Sequence, residues 1–306
     1  MKYVEFGPWL QSELGCKVQK ISVNAGMTCP NRDGTLGTGG CTFCNNQTFN
    51  PAYCRTEKSV TQQLEEGKQF FARKYPAMKY LAYFQAYTNT YAELDRLVSL
   101  YEEALCVPDV VGLVIGTRPD CMPDNLLDYL EELNRRTFLI VEYGVESAND
   151  ETLLRINRGH TYADFVEGYT RLREASPRIH TCIHLIFGLP DESEEDMLDT
   201  VRAVAALHPH QVKIHLLHVL RGTALGELYG AGKYSPMEKD TYVETVVKAL
   251  ELLPPKTVIA RLTGDGAAQD LLAPVWSRRK REVLNAIDKR LASLDTWQGR
   301  KYQQSI

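Results

Sequence analysis

CPNRDGTLGTGGCTFC, Cys29 to Cys44, directly follows the first strand-like run of the chain, Lys17–Val23. Eleven residues separate its first two cysteines and two separate the last pair. Between them lie Gly34, Gly37, Gly39 and Gly40. Glycines let a loop curl around a bulky object and bring backbone amides close to it. Sulfide-rich clusters take thiolate ligands and N–H···S hydrogen bonds. Three thiolates suit a cubane cluster whose fourth iron is left open, and an open metal position is where chemistry happens. Two other readings stand beside this one: a structural zinc site with Cys54 as the fourth ligand, or plain reduced cysteines. The absence of a second CxxC pair counts against zinc.

The rest of the composition is that of an ordinary globular chain, with 306 residues, 44% hydrophobic and 24% charged. No apolar run approaches the ~18 residues of a membrane span. The N-terminal stretch MKYVEFGPWLQSELGCK carries acids and lacks the apolar core of a signal peptide. A cytoplasmic protein with no membrane partner is the expectation. In such a chain, clustered cysteines point to metal or catalysis rather than to disulfides. The net charge of −4 is unevenly spread. Lys256–Ile306 holds ten Lys/Arg against five Asp/Glu, concentrated in WSRRKRE (Trp276–Glu282). Such a patch is either a solvated helix face or a surface for phosphates.

Short apolar runs alternate with helical patterns. Strands are predicted at Lys17–Val23, Tyr80–Phe84, Val111–Ile115, Phe138–Tyr143, Thr181–Phe187 and Val212–Leu217. Helices are predicted at Ser59–Lys74, Ala92–Leu105, Pro123–Arg136, Tyr162–Glu174, Glu194–Leu207 and Pro236–Leu253. Ser59 or Thr61 opens the first helix, Pro123 sits as a first-turn proline, and Ser193 caps an acidic first turn. This alternation argues for βα units and a parallel sheet. Six such units suit an α/β partial TIM-like (β/α)6 barrel, with a doubly wound open sheet as the rival. Residues 1–253 form the barrel in this reading. Residues 254–306 form a small basic C-terminal α+β module: a strand (Thr257–Leu262), a Gly-rich turn (Thr263–Ala267) and a helix (Arg278–Leu291). The cysteine loop then lies at the C-terminal edge of the sheet, where such folds keep their active sites.

Several polar residues fall on the same edge. Gln85, Thr88 and Asn89 form a polar turn after the second strand. His184 is in phase with Cys182 and Ile186 on the fifth strand, and Lys213 shares one face of the sixth with His215. If those faces look into the barrel, His184, Lys213 and His215 are the candidate catalytic residues.

The cysteine loop resembles the cluster loop of radical S-adenosylmethionine (SAM) enzymes. It is especially similar to the YhcC/YtqA group, relatives of the Elongator catalytic subunit and of oxygen-independent coproporphyrinogen oxidase. Eleven residues between the first two cysteines is that group's pattern. IGTRPD (Ile115–Asp120) looks like the ETRPD stretch of Elongator relatives, with Gly116 where they have Glu. VEYGVES, RINRGHT, HLIFGLPDE and KIHLLHVLRGT extend the likeness over most of the chain. The resemblance implies that Cys29, Cys41 and Cys44 hold a [4Fe-4S] cluster whose fourth iron binds SAM. It implies an electron passing to the sulfonium, C5′–S cleavage, and a 5′-deoxyadenosyl radical that abstracts hydrogen from substrate. It implies SAM contacts from Phe43, Gln85, Thr88, Asn89, Glu146, Arg158 and Ile186; Glu146 and Arg158 keep the family's spacing of twelve.

Three functions follow. The first is modification of the C5 side chain of wobble uridine in tRNA, with Arg278, Arg279, Lys280 and Arg281 meeting the nucleic acid and flavodoxin or ferredoxin supplying the electron. The second is a radical SAM reaction on a small metabolite. The third is a zinc-stapled binding protein without catalysis.

Overall fold

The structure, a computed structural model, describes residues 2–45, 50–72, 78–264 and 269–303. In chain order the elements begin with α1 (Phe6–Leu14), β1 (Val18–Val23), α2 (Val60–Ala72), β2 (Lys79–Phe84), α3 (Leu94–Leu105) and β3 (Val110–Thr117). There follow α4 (Asp124–Arg136), β4 (Phe138–Glu146), α5 (Asp150–Arg155), α6 (Tyr162–Ala175), β5 (His180–Phe187) and α7 (Glu194–Ala205). The chain continues through β6 (Gln211–Leu216), β7 (Val219–Leu220), α8 (Ala224–Gly230), α9 (Lys239–Leu252), β8 (Val258–Arg261), β9 (Leu271–Ala273) and α10 (Lys280–Ser293).

Seven parallel strands in the order β1-β2-β3-β4-β5-β6-β8 curl into a half-barrel. The runs VVGLVIGT and FLIVEYGVE are buried on both faces, as a parallel sheet covered by helices requires. On the convex side, Leu113, Val141, Ile183 and Ile214 share one core with α2–α4, α6, α7 and α9. On the concave side, Leu81, Val114, Ile140 and Cys182 pack on Leu10, with Phe6, Trp9 and Leu14 around them. Helix α1 therefore plugs the floor of the half-barrel. Three helices start on reciprocal caps, Ser59 with Gln62, Thr161 with Asp164 and Ser193 with Asp196. Pro123 is the cap residue of α4 rather than its first-turn residue.

The strand expected in the C-terminal module is the seventh strand of the main sheet. Val258 and Ile259 are each 4% exposed, and β6 supplies the neighbour that lets them bury; Val258 N donates to His210 O at 2.9 Å. Val283, Ile287 and Leu291 of α10 join the same core as the barrel helices. Helices α1, α5 and α8 and the ribbon of β7 with β9 had no counterpart among the sequence-based elements. The end of the helix expected over Ser59–Lys74, at Arg73–Lys74, lies outside the described residues, as does Asp265–Ala267 of the Gly-rich turn. Among the described residues no helix is long and apolar enough to cross a membrane.

Because Leu10 is 2% exposed beneath four strands, Leu10→Ala is expected to lower the unfolding free energy by about 2–5 kcal/mol. Urea denaturation of the two proteins measures it.

Candidate active site

The cysteine loop is fixed by a second loop, residues 156–159, at the end of α5. Thr42 N donates to Ile156 O at 2.9 Å, and Asn157 Nδ2 donates to Gly40 O at 2.8 Å. Asn31, 1% exposed, donates to Asn157 O and sits 4.0 Å from Cys41 Sγ. A Cβ on Gly37 or Gly159 would fall 2.7 or 2.9 Å from Asn31 Oδ1, so both positions exclude side chains. Arg118 supports the second loop from β3: its Nη1 donates to Arg158 O at 2.8 Å and its Nη2 to Gly159 O at 3.1 Å. Asp120 holds the other edge of that guanidinium at 2.7 and 2.9 Å.

Arg158 lies between the cysteines and the sheet. Its Nη1 is 3.7 Å from Cys41 Sγ, its Nη2 donates to Gly144 O, and Glu146 Oε1 lies 3.5 Å from Nη2. A bulge between Gly144 and Glu146, with Glu146 at φ 72°, turns the carboxylate towards Arg158. A Cβ on Gly144 would meet Glu146 Oε1 at 2.5 Å and Arg158 Nη2 at 2.9 Å, which is why this strand position carries glycine. Burial lowers the affinity of the guanidinium for its proton, but Cys41 and Glu146 outweigh that and raise it above its ordinary value. Burial also raises the Glu146 carboxyl, with Arg158 opposing.

Cys29 and Cys41 are buried and Cys44 is half-buried. The Cys44 thiol is pushed up to about 12 by burial and then by Cys41, with Cys29 also raising it. Phe43 packs on an apolar patch that contains Leu153, Ile156, Ile186 and Leu189. Gln85 Nε2 donates to Ser22 Oγ at 2.9 Å, and Thr88 N donates to Thr28 O at 3.1 Å, just before the cysteine loop. Asn89 spends its amide on the carbonyls of Ala86 and Gly116, at 3.1 and 3.0 Å, and so braces the turn.

Deeper on the concave face stand the three candidate catalytic residues. Lys213 Nζ and His184 Nε2 both reach Glu142 Oε2, the latter at 3.1 Å. The ring of His215 lies 5.3 Å from that of His184. Glu142, Asn31, Arg118 and Asn157 escaped the sequence reading. A lone acid inside the apolar run FLIVEYGVE was the available signal for Glu142.

The radical SAM superfamily profile matches residues 29–204, and the radical SAM C-terminal domain profile matches residues 209–293. The chain belongs to the radical SAM superfamily, whose members use a [4Fe-4S] cluster and SAM. Within the superfamily it falls in the YhcC/YtqA group. It is 43% identical to the uncharacterized protein YtqA of Bacillus subtilis (strain 168), over 96% of this chain and 91% of YtqA. It is 37% identical to protein YhcC of Escherichia coli (strain K12), over 94% of this chain and 91% of that protein. Among solved structures, an N-terminally truncated Elp3 from Methanocaldococcus infernus superposes with a TM-score of 0.69 at 19% identity, over 92% of this chain and 64% of that one.

The residues present fit the two cofactors. Three thiols gather on one stapled loop, and the cost of ionising Cys44 in isolation is relieved when a metal takes its thiolate. The Nε of Arg158 is buried without a partner among the described residues, which leaves a donor for a carboxylate. The zinc-stapled reading is corrected by the family membership. Its proposed fourth ligand, Cys54, is 3% exposed in the convex core with Tyr53, Val60 and Leu64.

Arg158→Lys is expected to raise the KM for SAM roughly 10- to 100-fold in a 5′-deoxyadenosine assay, because the fork is lost while the charge stays. The iron content of that variant separates a lost SAM contact from a loosened cysteine loop. Cys54→Ala is expected to retain its iron, measured on anaerobically purified protein.

Proposed function

We propose that the protein acts on tRNA, at the C5 side chain of wobble uridine, converting carboxymethylaminomethyl to aminomethyl: the N–CH2 bond of the carboxymethyl group breaks, water supplies the aldehyde oxygen of the glyoxylate that leaves, and the two electrons released pass to SAM. The observation that carries this reading is the placement of the basic segment. Leu272 and Ala273 of β9 pack into the apolar patch that holds Phe43 and Ile186. Arg278, Arg279 and Arg281 follow within a few residues and are exposed, with Lys280 half-buried among them. A basic rim beside the cofactor patch suits a substrate that brings phosphates with it.

In this account Cys29, Cys41 and Cys44 hold the cluster, with Phe43 packed beside it. Glu146 and Arg158 bind the amino-acid end of SAM, and Gln85, Thr88 and Ile186 line its surroundings. When bound, the cluster and SAM together supply the hydrogen-abstracting radical chemistry. The chain's own part is to orient SAM, exclude water and present the substrate side chain to His184, Lys213 and His215. A one-electron donor of the flavodoxin or ferredoxin kind supplies the electron that first reduces the cluster.

Electrophoretic mobility of tRNA with the protein at several salt concentrations tests the reading. Binding is expected to weaken steeply with salt. Arg279→Gln/Arg281→Gln is expected to weaken it further and to reduce the salt slope by about 1 for each phosphate no longer neutralised. Binding that is absent, or indifferent to salt and to both substitutions, would refute tRNA as substrate and favour a small metabolite.

A further inference from the structure

Glu142 has no exposed side-chain surface, and two ammonium groups hold it at once. Lys20 Nζ lies 2.8 Å from Oε1, and Lys213 Nζ contacts Oε2. Burial alone raises the Glu142 carboxyl, but Lys20 and then Lys213 outweigh it and hold the group well below the usual carboxylate range. Burial pulls Lys213 down to about 8, with Glu142 opposing, so the ammonium form prevails at neutral pH. Burial and then Lys213 pull His184 down to about 4. Burial and then His184 hold His215 well below its ordinary value. Both rings are therefore neutral. Two cations share one anion, and a buried charge in excess is costly without a partner. Arg261, the register partner of Lys213, adds positive potential, since it lowers both Lys213 and His215.

Gly116 is the register partner of Glu142, so that strand places no side chain beside the carboxylate. Tyr83 covers the pair, with its ring centroid 4.9 Å from Lys213 Nζ and 5.3 Å from Lys20 Nζ. The Nε2 of His215 is buried without a hydrogen-bond partner among the described residues. Excess positive charge, a glycine beside the carboxylate and an unused imidazole nitrogen thus coincide inside the half-barrel.

We propose that Lys20 and Lys213, positioned by Glu142, form a subsite for a carboxylate on the reacting side chain of the substrate. The proposal rests on the tRNA reading and deepens it, because it names the residues that distinguish a wobble side chain bearing a carboxylate from one without it. Ammonium groups are compact point charges that suit a carboxylate. Glu142 keeps both aimed at one place, and His215 stands ready to hydrogen-bond. A metal is the rival occupant, since Glu142, Cys182 and His184 bring one ligand atom each within 4.8 Å of one another. Two ammonium groups on the same carboxylate oppose a cation there.

Two anticodon stem-loops test the subsite on the SAM-loaded holoprotein, one with carboxymethylaminomethyluridine at the wobble position and one with aminomethyluridine. The two free nucleosides serve as RNA-independent probes. The carboxylate-bearing member of each pair is expected to bind roughly ten- to hundredfold more tightly. Lys213→Met is expected to bring the ratio within about threefold, while leaving Lys20 and Glu142 as a matched pair that lets the variant fold. Lys20→Met, the second variant, is expected to do the same. Equal affinity for the probes with and without the carboxylate overturns the subsite. A preference that survives both substitutions while only the melting temperature falls overturns it too, and makes the cluster a structural brace. One zinc per chain beyond the cluster iron overturns it in favour of the metal. Stem-loops that bind no tighter than nucleosides sink the tRNA reading instead, and the nucleoside ratio alone then decides the subsite.

Discussion

A buried guanidinium holds the site together. Arg158 touches Cys41, Glu146 and the carbonyl of Gly144, so it ties the cysteine loop to the end of β4. Its own loop is held in turn by Arg118 from β3 and by Asn31 and Asn157 across the cysteine loop. A loop of sixteen residues that must present three thiols to one cluster has no regular secondary structure to fix it. Its shape comes from these polar staples, each of which satisfies a backbone group that would otherwise be buried unpaired.

The half-barrel separates this upper layer from a second charged layer below. Apolar side chains of α1 seal the floor, and Lys20 Nζ sits 4.3 Å from the Phe6 ring centroid. Above that seal, Lys20, Glu142 and Lys213 bring charge from β1, β4 and β6 to one point. Glycines at 116 and 144 shape the space differently. The first keeps a side chain away from Phe84 O beside Glu142, and the second gives its place to Glu146 and Arg158. The result is an interior with thiols and a guanidinium at its rim and ammonium groups beneath.

Much of this was legible in the sequence. Strands of a parallel sheet are buried on both faces, so they stand out as apolar runs, and all six expected barrel strands are present within a few residues. The face carrying His184 was readable from its period of two, and so was the face carrying Lys213 and His215. The seventh strand was visible as a run but not as a member of the sheet, because its four residues say nothing of their neighbour. Helix α1 was missed because FGPWLQSEL opens with glycine and proline near its start. Glu142 was missed because its partners lie 122, 71 and 42 residues away in the chain. Contacts of that range leave no local pattern. The bulge at Gly144–Glu146 has the same origin, since it exists only in the pairing of β4 with β5.

The central claim is that the three cysteines of the opening loop hold a cluster that cleaves SAM. Anaerobic purification with iron and zinc analysis, followed by measurement of 5′-deoxyadenosine after addition of SAM and dithionite, tests it most directly. The expected result is a brown protein with about four irons per chain and 5′-deoxyadenosine that disappears in Cys41→Ala. A colourless protein with one zinc, no iron and no 5′-deoxyadenosine would contradict it.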